Sequence, residues 1–206
     1  MIAAAALILA LNSAESECRQ HFGSACSEAV GRWLPGNRLT RWTSTGTHTT
    51  QVRFVSGFVN RGKTVPHSWG VNAIGGTKFV YGVAGPTQGY GLYDSANRLT
   101  FYEQGCCAWH EIVLASTVSA PPMQFKHADL RSVRTTRGAA LGMTVAQIRS
   151  RYGYAKLLTV AGSSGLSELR YTVSAPYPRL PKSCEQDDIF AFRGGKAVII
   201  VILEGC

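Results

Sequence analysis

The last apolar run of the chain, from Lys196 to Leu203, places the tightest constraint on the fold. Its sequence is KAVIIVIL, so apolar residues occupy both sets of alternating positions. Successive side chains of a β-strand point to opposite faces of the sheet, and a strand that is apolar at every position is buried on both faces. We therefore predict that this strand lies inside a sheet that is covered on each side.

The run that precedes it, DIFAFR, is separated from it by Gly194 and Gly195, which predicts a β-hairpin. A three-residue loop that closes on Lys196 places Cys184 opposite Cys206, and a two-residue loop does so if a bulge absorbs one residue. We therefore predict a Cys184–Cys206 disulfide, which stabilises by roughly 3 kcal/mol in the chain-entropy model.

The N-terminus predicts export. Residues 2–11 are apolar, too few to span a bilayer, and similar to the central region of a secretory signal, with cleavage expected after Ala14. Six cysteines behind such a signal are typical of disulfides. Neighbouring cysteines pair rarely, so we expect Cys106 and Cys107 to pair with Cys18 and Cys26. The predicted location is the periplasm of a Gram-negative bacterium or the medium.

The remaining pattern predicts an α+β fold, in which an antiparallel β meander precedes a helix-plus-antiparallel-sheet module and disulfides staple the chain. The predicted segments are a signal peptide (1–14), a helical segment (15–39), the meander (40–118), a linker (119–130) and the helix with four antiparallel strands (131–206).

One amphipathic helix is predicted in the segment GAALGMTVAQIRSRYG, residues 138–153. Thr144 is the expected N-cap, Gln147 completes a capping box, and Gly153 ends the helix. The expected apolar stripe consists of Val145, Ile148 and Tyr152.

The same segment resembles the G-x-x-L-G-M-T signature of the small outer-membrane-assembly lipoproteins and similar patterns in β-lactamase-inhibitor-protein-like modules. The matching residues are Gly138, Leu141, Gly142, Met143, Thr144, Ile148 and Gly153. The resemblance covers the last third of the chain. It implies a helix on a small antiparallel sheet, with Leu141 and Met143 in the core, in exported bacterial proteins that bind proteins or envelope components and carry no catalytic residues.

The charge balance predicts a basic surface that attracts polyanions, and a generic basic surface is favoured over a specific anion site. The chain has 21 Lys and Arg residues against 12 Asp and Glu, a formal net charge of +9. The densest basic run is Arg131, Arg134 and Arg137, followed by Arg149 and Arg151. No nucleic-acid motif and no stacking aromatic is visible among these residues, so a specific nucleic-acid partner is not expected.

The segment around Cys106, Cys107 and His110 has three possible chemical roles: disulfide bonding, a metal site, and a nucleophilic or redox thiol. Disulfide bonding is favoured. Strand-like sequences flank the segment, so helical spacing does not bring a sulfur and the imidazole together, and a zinc site needs four well-placed ligands. The acidic segment CEQDD, residues 184–188, is interpreted as a solvated turn instead of a cation site. No catalytic, cofactor or metal site is therefore predicted.

The predicted function is that of a non-enzymatic periplasmic or secreted binding protein. Its partner is an envelope protein or an anionic envelope polymer, and the mature form has no transmembrane segment. Two alternatives stay open: an envelope hydrolase that uses His110 and Glu111, and a thiol–disulfide redox protein that uses Cys106 and Cys107.

Overall fold

The protein is nearly all-β, so the predicted α+β class was wrong. The computed structural model describes residues 33–36, 49–66, 69–81, 87–106, 109–160, 165–174 and 184–205. Strands contain 51% of these residues and helices 9%. The two named helices are short, α1 at Gly70–Ala73 and α2 at Val145–Tyr152, and they cover a sheet that extends through both halves of the molecule.

Thirteen strands occur in the described part of the chain. They are β1 (Thr50–Gln51), β2 (Phe58–Asn60), β3 (Lys63–Val65), β4 (Thr77–Tyr81), β5 (Thr87–Asp94), β6 (Leu99–Cys106), β7 (Trp109–Ser116), β8 (Lys126–His127), β9 (Arg134–Thr135), β10 (Leu158–Thr159), β11 (Leu166–Ser174), β12 (Glu185–Arg193) and β13 (Lys196–Gly205).

Ten of these strands form one sheet. Its main order is β1-β11-β12-β13-β7-β6-β5-β4, with β10 also on β11 and β8 also on β5. The β1–β11 and β5–β8 pairs are parallel, so the sheet is mixed, whereas a purely antiparallel arrangement was predicted. A second sheet has the order β3-β2-β9.

The large sheet consists of two runs with the same order of elements. In the first, α1 precedes the antiparallel strands β4 to β7, and in the second, α2 precedes β10 to β13. The last strand of each run meets the other at the centre, where β7 and β13 pair antiparallel over seven residue pairs. Residues 119–130, predicted as a linker, contribute β8 and the buried side chains of Phe125 and Leu130.

The predicted position of the apolar strand β13 is confirmed. It lies between β12 and β7, and both of its faces are buried. Ile200 and Ile202 belong to the helix face of the sheet, where α1, α2 and the small sheet cover it. Ile199 and Val201 belong to the opposite face, against a second core cluster that includes Leu34, Phe125 and Val160.

The predicted hairpin at Gly194 and Gly195 is confirmed as well. Arg193 pairs with Lys196 across a two-residue loop, and both glycines have positive φ (56° and 74°), as a type I′ turn requires. A register shift between Ala191 and Phe192 supplies the bulge. Glu185 therefore pairs with Gly205, the register that a Cys184–Cys206 bond requires.

The predicted disulfide staples lie largely outside the described residues. Cys184 is buried and disulfide-bonded, but no disulfide between two described residues is found. Four cysteines lie outside the described residues, namely Cys18, Cys26, Cys107 and Cys206, and Cys106 is the last residue of β6. The predicted signal peptide and most of the predicted helical segment 15–39 also lie outside them.

The predicted helix α2 is confirmed with its capping box. The Gln147 backbone N–H donates to Thr144 Oγ1 at 3.2 Å, and the Thr144 N–H donates to Gln147 Oε1 at 2.8 Å. Ile148 and Tyr152 are buried in the helix-face core, and Gly153 ends the helix with a φ of 92°. Leu141 and Met143, the core residues implied by the resemblance, are partly buried against the same core.

Candidate functional site

The charged residues that the structure describes are sorted by sign: most cations are exposed, and most carboxylates are not. Of the fifteen described lysines and arginines, twelve are exposed and only Arg170 is buried, whereas of the nine described carboxylate residues only Glu185 is exposed. The exposed cations are Arg53, Arg61, Lys63, Lys78, Arg98, Lys126, Arg131, Arg134, Arg137, Lys156, Arg193 and Lys196. The described surface is therefore more strongly cationic than the net charge of the sequence indicates.

One buried carboxylate on the helix face is held by backbone groups. Glu103 on β6 accepts hydrogen bonds from the N–H groups of Val71 (3.0 Å) and Asn72 (2.9 Å) at the beginning of α1. Burial raises the pKa of Glu103, and these two hydrogen bonds oppose the rise. Glu103 thus fastens α1 to the sheet, and its charge does not reach the surface.

Other buried carboxylates lie on β11 and β12, on both faces of the sheet. Asp187 accepts hydrogen bonds from the buried side chains of Arg170 and Thr172. Asp188 is also buried, so the interpretation of residues 184–188 as a solvated turn was wrong: β12 begins at Glu185. The side chains of Asp187 and Asp188 point to opposite faces of the sheet because they are successive residues of one strand. The two carboxylates therefore do not form a joint cation site.

Two arginines contact the half-buried carboxylate of Asp129, and a third lies close by in sequence. Arg131 donates to it from Nε (3.0 Å) and Nη2 (2.8 Å), and Arg61 Nη2 lies 4.0 Å from its Oδ2. The hydrogen bond from Arg131 holds the pKa of Asp129 well below its usual value. Arg134 Nε donates to the Ser132 carbonyl at 3.3 Å. One carboxylate thus faces two guanidinium groups, with the third arginine close by in sequence, which leaves this region positively charged.

Three more arginines donate to backbone carbonyls of α2 or of the loop that follows it. Arg137 donates from Nε (2.8 Å) and Nη2 (2.6 Å) to the Arg151 carbonyl, and Arg149 donates from the same two atoms to the Ala155 carbonyl (3.1 and 2.6 Å). Arg151 Nη1 donates to the Gln147 carbonyl at 3.1 Å. The Arg151 carbonyl is one of the last carbonyls of α2, which have no partner within the helix, and cations are favourable at that end of a helix.

We call these six residues the arginine band: Arg61, Arg131, Arg134, Arg137, Arg149 and Arg151. Its two groups are continuous because Arg134 on β9 and Arg137 in the following turn are close neighbours along the chain. Among the described residues, only Arg61 and Arg131 of the band form ion pairs, and they share Asp129.

Aromatic rings lie beneath two arginines of the band. The Arg137 Cζ atom is 3.7 Å from the centre of the Phe54 ring, and the Arg149 Cζ atom is 4.6 Å from that of Tyr154. Stacking of this kind fixes the plane of the guanidinium group. The sequence shows no stacking aromatic among the basic residues, and the fold supplies these two. Phe54 is remote in sequence from Arg137, whereas Tyr154 is visible just past the predicted helix end.

The predicted pair of His110 and Glu111 is divided between the two faces of β7. His110 lies on the helix face, where its Nε2 is 3.8 Å from Glu103 Oε2 and its ring is 5.4 Å from that of Trp69. Glu111 is buried on the opposite face and accepts a hydrogen bond from Gln104 Nε2. The two side chains therefore cannot act on the same substrate atom.

A cleft of about 310 Å³ opens on the opposite face at the β12–β13 end of the sheet. It is lined mainly by apolar side chains and by the backbone that follows β7. The lining residues are Trp33, Pro35, Ser116, Thr117, Val118, Ser119, Leu166, Arg193, Val198 and Ile199. Arg193 is the only charged residue among the described residues of this lining, and it is exposed.

In the part of the chain that the structure describes, no group of three or more His, Cys, Asp or Glu side chains is arranged to hold a metal ion. No helix there is both long and apolar enough to cross a membrane. Comparison with protein families, with characterised proteins and with solved structures finds no match to this chain.

Proposed function

We propose that this chain is a non-enzymatic periplasmic or secreted binding protein, and that its arginine band binds an anionic component of the cell envelope. The observation that carries the proposal is the sorting of charge, with twelve exposed cations and one exposed carboxylate among the described residues. A positively charged surface attracts polyanions over several ångströms and repels cationic molecules.

The fixed positions of the arginines support binding through hydrogen bonds as well as through charge. Arg137 and Arg149 each use Nε and Nη2 to hold a carbonyl, and neither forms an ion pair among the described residues. Donors that remain on a guanidinium group form strong hydrogen bonds with carboxylate, phosphate or sulfate oxygens. Because the side chains are already ordered, binding costs little additional conformational entropy.

The hydrolase alternative has less support because His110 and Glu111 lie on opposite faces of β7. The redox alternative depends on Cys106 and Cys107, and Cys107 lies outside the described residues. The resemblance of residues 138–153 to exported binding modules agrees with a binding role and stays a prediction.

A pair of charge-matched variants tests the proposal. Dextran sulfate serves as a soluble polyanion, and its affinity is measured by calorimetry for the wild type, for R131Q/R134Q/R137Q in the band, and for R98Q/R193Q/K196Q outside it. Each lost charge-assisted hydrogen bond is worth roughly 1.5 kcal/mol or more, so we expect the band variant to bind more than about tenfold more weakly.

The control variant also loses three positive charges, but outside the band. We expect its affinity to fall by less than about threefold because it loses only long-range electrostatic attraction. Equal losses in both variants would show that the arginine band is not the binding site. Failure of the wild type to bind at low salt would remove the proposed function altogether.

A further inference from the structure

We infer that the loop after α2, residues 153–157, contacts the surface of an anionic lipid bilayer. The inference rests on the proposed anion binding by the arginine band and names its partner. It is carried by two exposed apolar side chains that stand among cations at one end of that band.

The apolar exposure of this loop is unusual for the protein. Tyr154 is 75% exposed and Leu157 is 41% exposed. The other large hydrophobic side chains that the structure shows as exposed are Val55, Ile74 and Val118, and no two of them are close in sequence. Tyr154 and Leu157 are thus the one such pair in a single loop within the described residues.

The backbone of the loop is fastened on both sides of Tyr154. The Tyr171 hydroxyl donates to the Gly153 carbonyl at 2.8 Å, and Arg149 donates two hydrogen bonds to the Ala155 carbonyl. Ala155 itself is 1% exposed. These hydrogen bonds fix the backbone on both sides of Tyr154, and the ring is exposed on this held backbone.

Cations surround the two apolar side chains. Lys156 lies between them and is exposed, Arg149 stacks on the Tyr154 ring, and Arg151 is in the last turn of α2. None of the three forms an ion pair among the described residues. A tyrosine, an aliphatic residue and several cations at one site match the headgroup region of a bilayer, where apolar and anionic groups meet.

Other polyanions match this loop less well. A soluble polyanion has no apolar phase in which to bury Leu157. A single-stranded nucleic acid stacks its successive bases on several aromatic side chains, and the loop presents one ring, that of Tyr154. The observations therefore favour an anionic lipid surface.

Vesicle flotation tests the inference with the full chain. Vesicles of phosphatidylcholine with about one-third phosphatidylglycerol are compared with vesicles of phosphatidylcholine alone, at low salt. We expect binding only to the former, a loss of about tenfold or more in Y154S/L157S, and a loss of about fivefold in K156Q. V118S is the control because Val118 is 83% exposed elsewhere, and it should bind as the wild type does.

All variants share the same N-terminus, so any contribution of residues 2–11 to vesicle binding is common to the affinities that are compared. Thermal unfolding verifies that each variant folds. Equal vesicle binding by wild type and Y154S/L157S overturns the inference. If dextran sulfate binds and vesicles do not, the lipid contact is wrong and the proposed function stands. If the wild type binds single-stranded DNA but not vesicles, and Y154S/L157S does not bind the DNA, the partner is a nucleic acid and the lipid contact is wrong. If no polyanion binds, the proposed function fails.

Discussion

Glu168 offers a quantitative test of the buried carboxylates. Its side chain on β11 is 4% exposed, and its Oε2 atom has no hydrogen-bond partner among the residues that the structure describes. Burial raises the pKa of Glu168 from 4.5 to about 7, while the charge of Arg170 lowers it and that of Asp187 raises it further. The folded protein therefore holds this proton more tightly than the unfolded chain does.

The sign of the pH dependence follows from proton binding. Between pH 4.5 and 7 the unfolded chain releases the proton of Glu168 while the folded protein retains it, so the free energy of unfolding falls as pH rises and levels off above 7. The difference between the two pKa values corresponds to at most ~3 kcal/mol.

The substitution Glu168→Gln removes this contribution because the amide does not titrate. We expect the variant to match the wild type near pH 4.5 and to exceed its stability by up to ~3 kcal/mol at pH 7.5. Urea unfolding followed by circular dichroism from pH 4.5 to 8 measures the difference, with exposed Glu185→Gln as the control. A stability difference that stays constant over this range would refute the reasoning.

Three further changes test the packing of the fold by urea unfolding. Thr144→Ala removes the side-chain half of the capping box and should cost about 1 kcal/mol, which Thr144→Ser should largely restore. Gly91→Ala places a Cβ 2.3 Å from the Phe125 ring and should cost roughly 1–3 kcal/mol, and an unchanged stability would contradict this close approach. Asp187→Asn leaves the buried Arg170 without its counter-charge and should cost roughly 3–5 kcal/mol, and a loss below about 1 kcal/mol would show that the pair is not buried as described.

Local patterns predicted several elements of this fold correctly. The Thr144 cap with Gln147 located α2, and the unbroken apolar run of β13 indicated a central strand, because both signals depend on residues close together in sequence. The hairpin at Gly194 and Gly195 is the same kind of signal. The short strands β1 and β8 could not be predicted, since each has two residues and exists only through parallel pairing with a remote strand.

The candidate site was only partly visible in the sequence. The arginine run was evident, but which charges reach the surface depends on strand pairing. Asp187 is buried because Arg170 lies on the neighbouring strand, and no local pattern shows that pairing. The separation of His110 from Glu111, in contrast, follows from the alternation of a strand once β7 is recognised.

The central claim is that exposed arginines bind an anionic partner. The salt dependence of polyanion binding tests this claim most directly, because electrostatic binding weakens as salt increases. Calorimetry of the wild type with dextran sulfate at 50 and 200 mM NaCl measures it. Arginine-mediated binding predicts that the affinity falls by roughly tenfold or more over this range, since bound counterions are released. An affinity that does not change with salt would contradict the account.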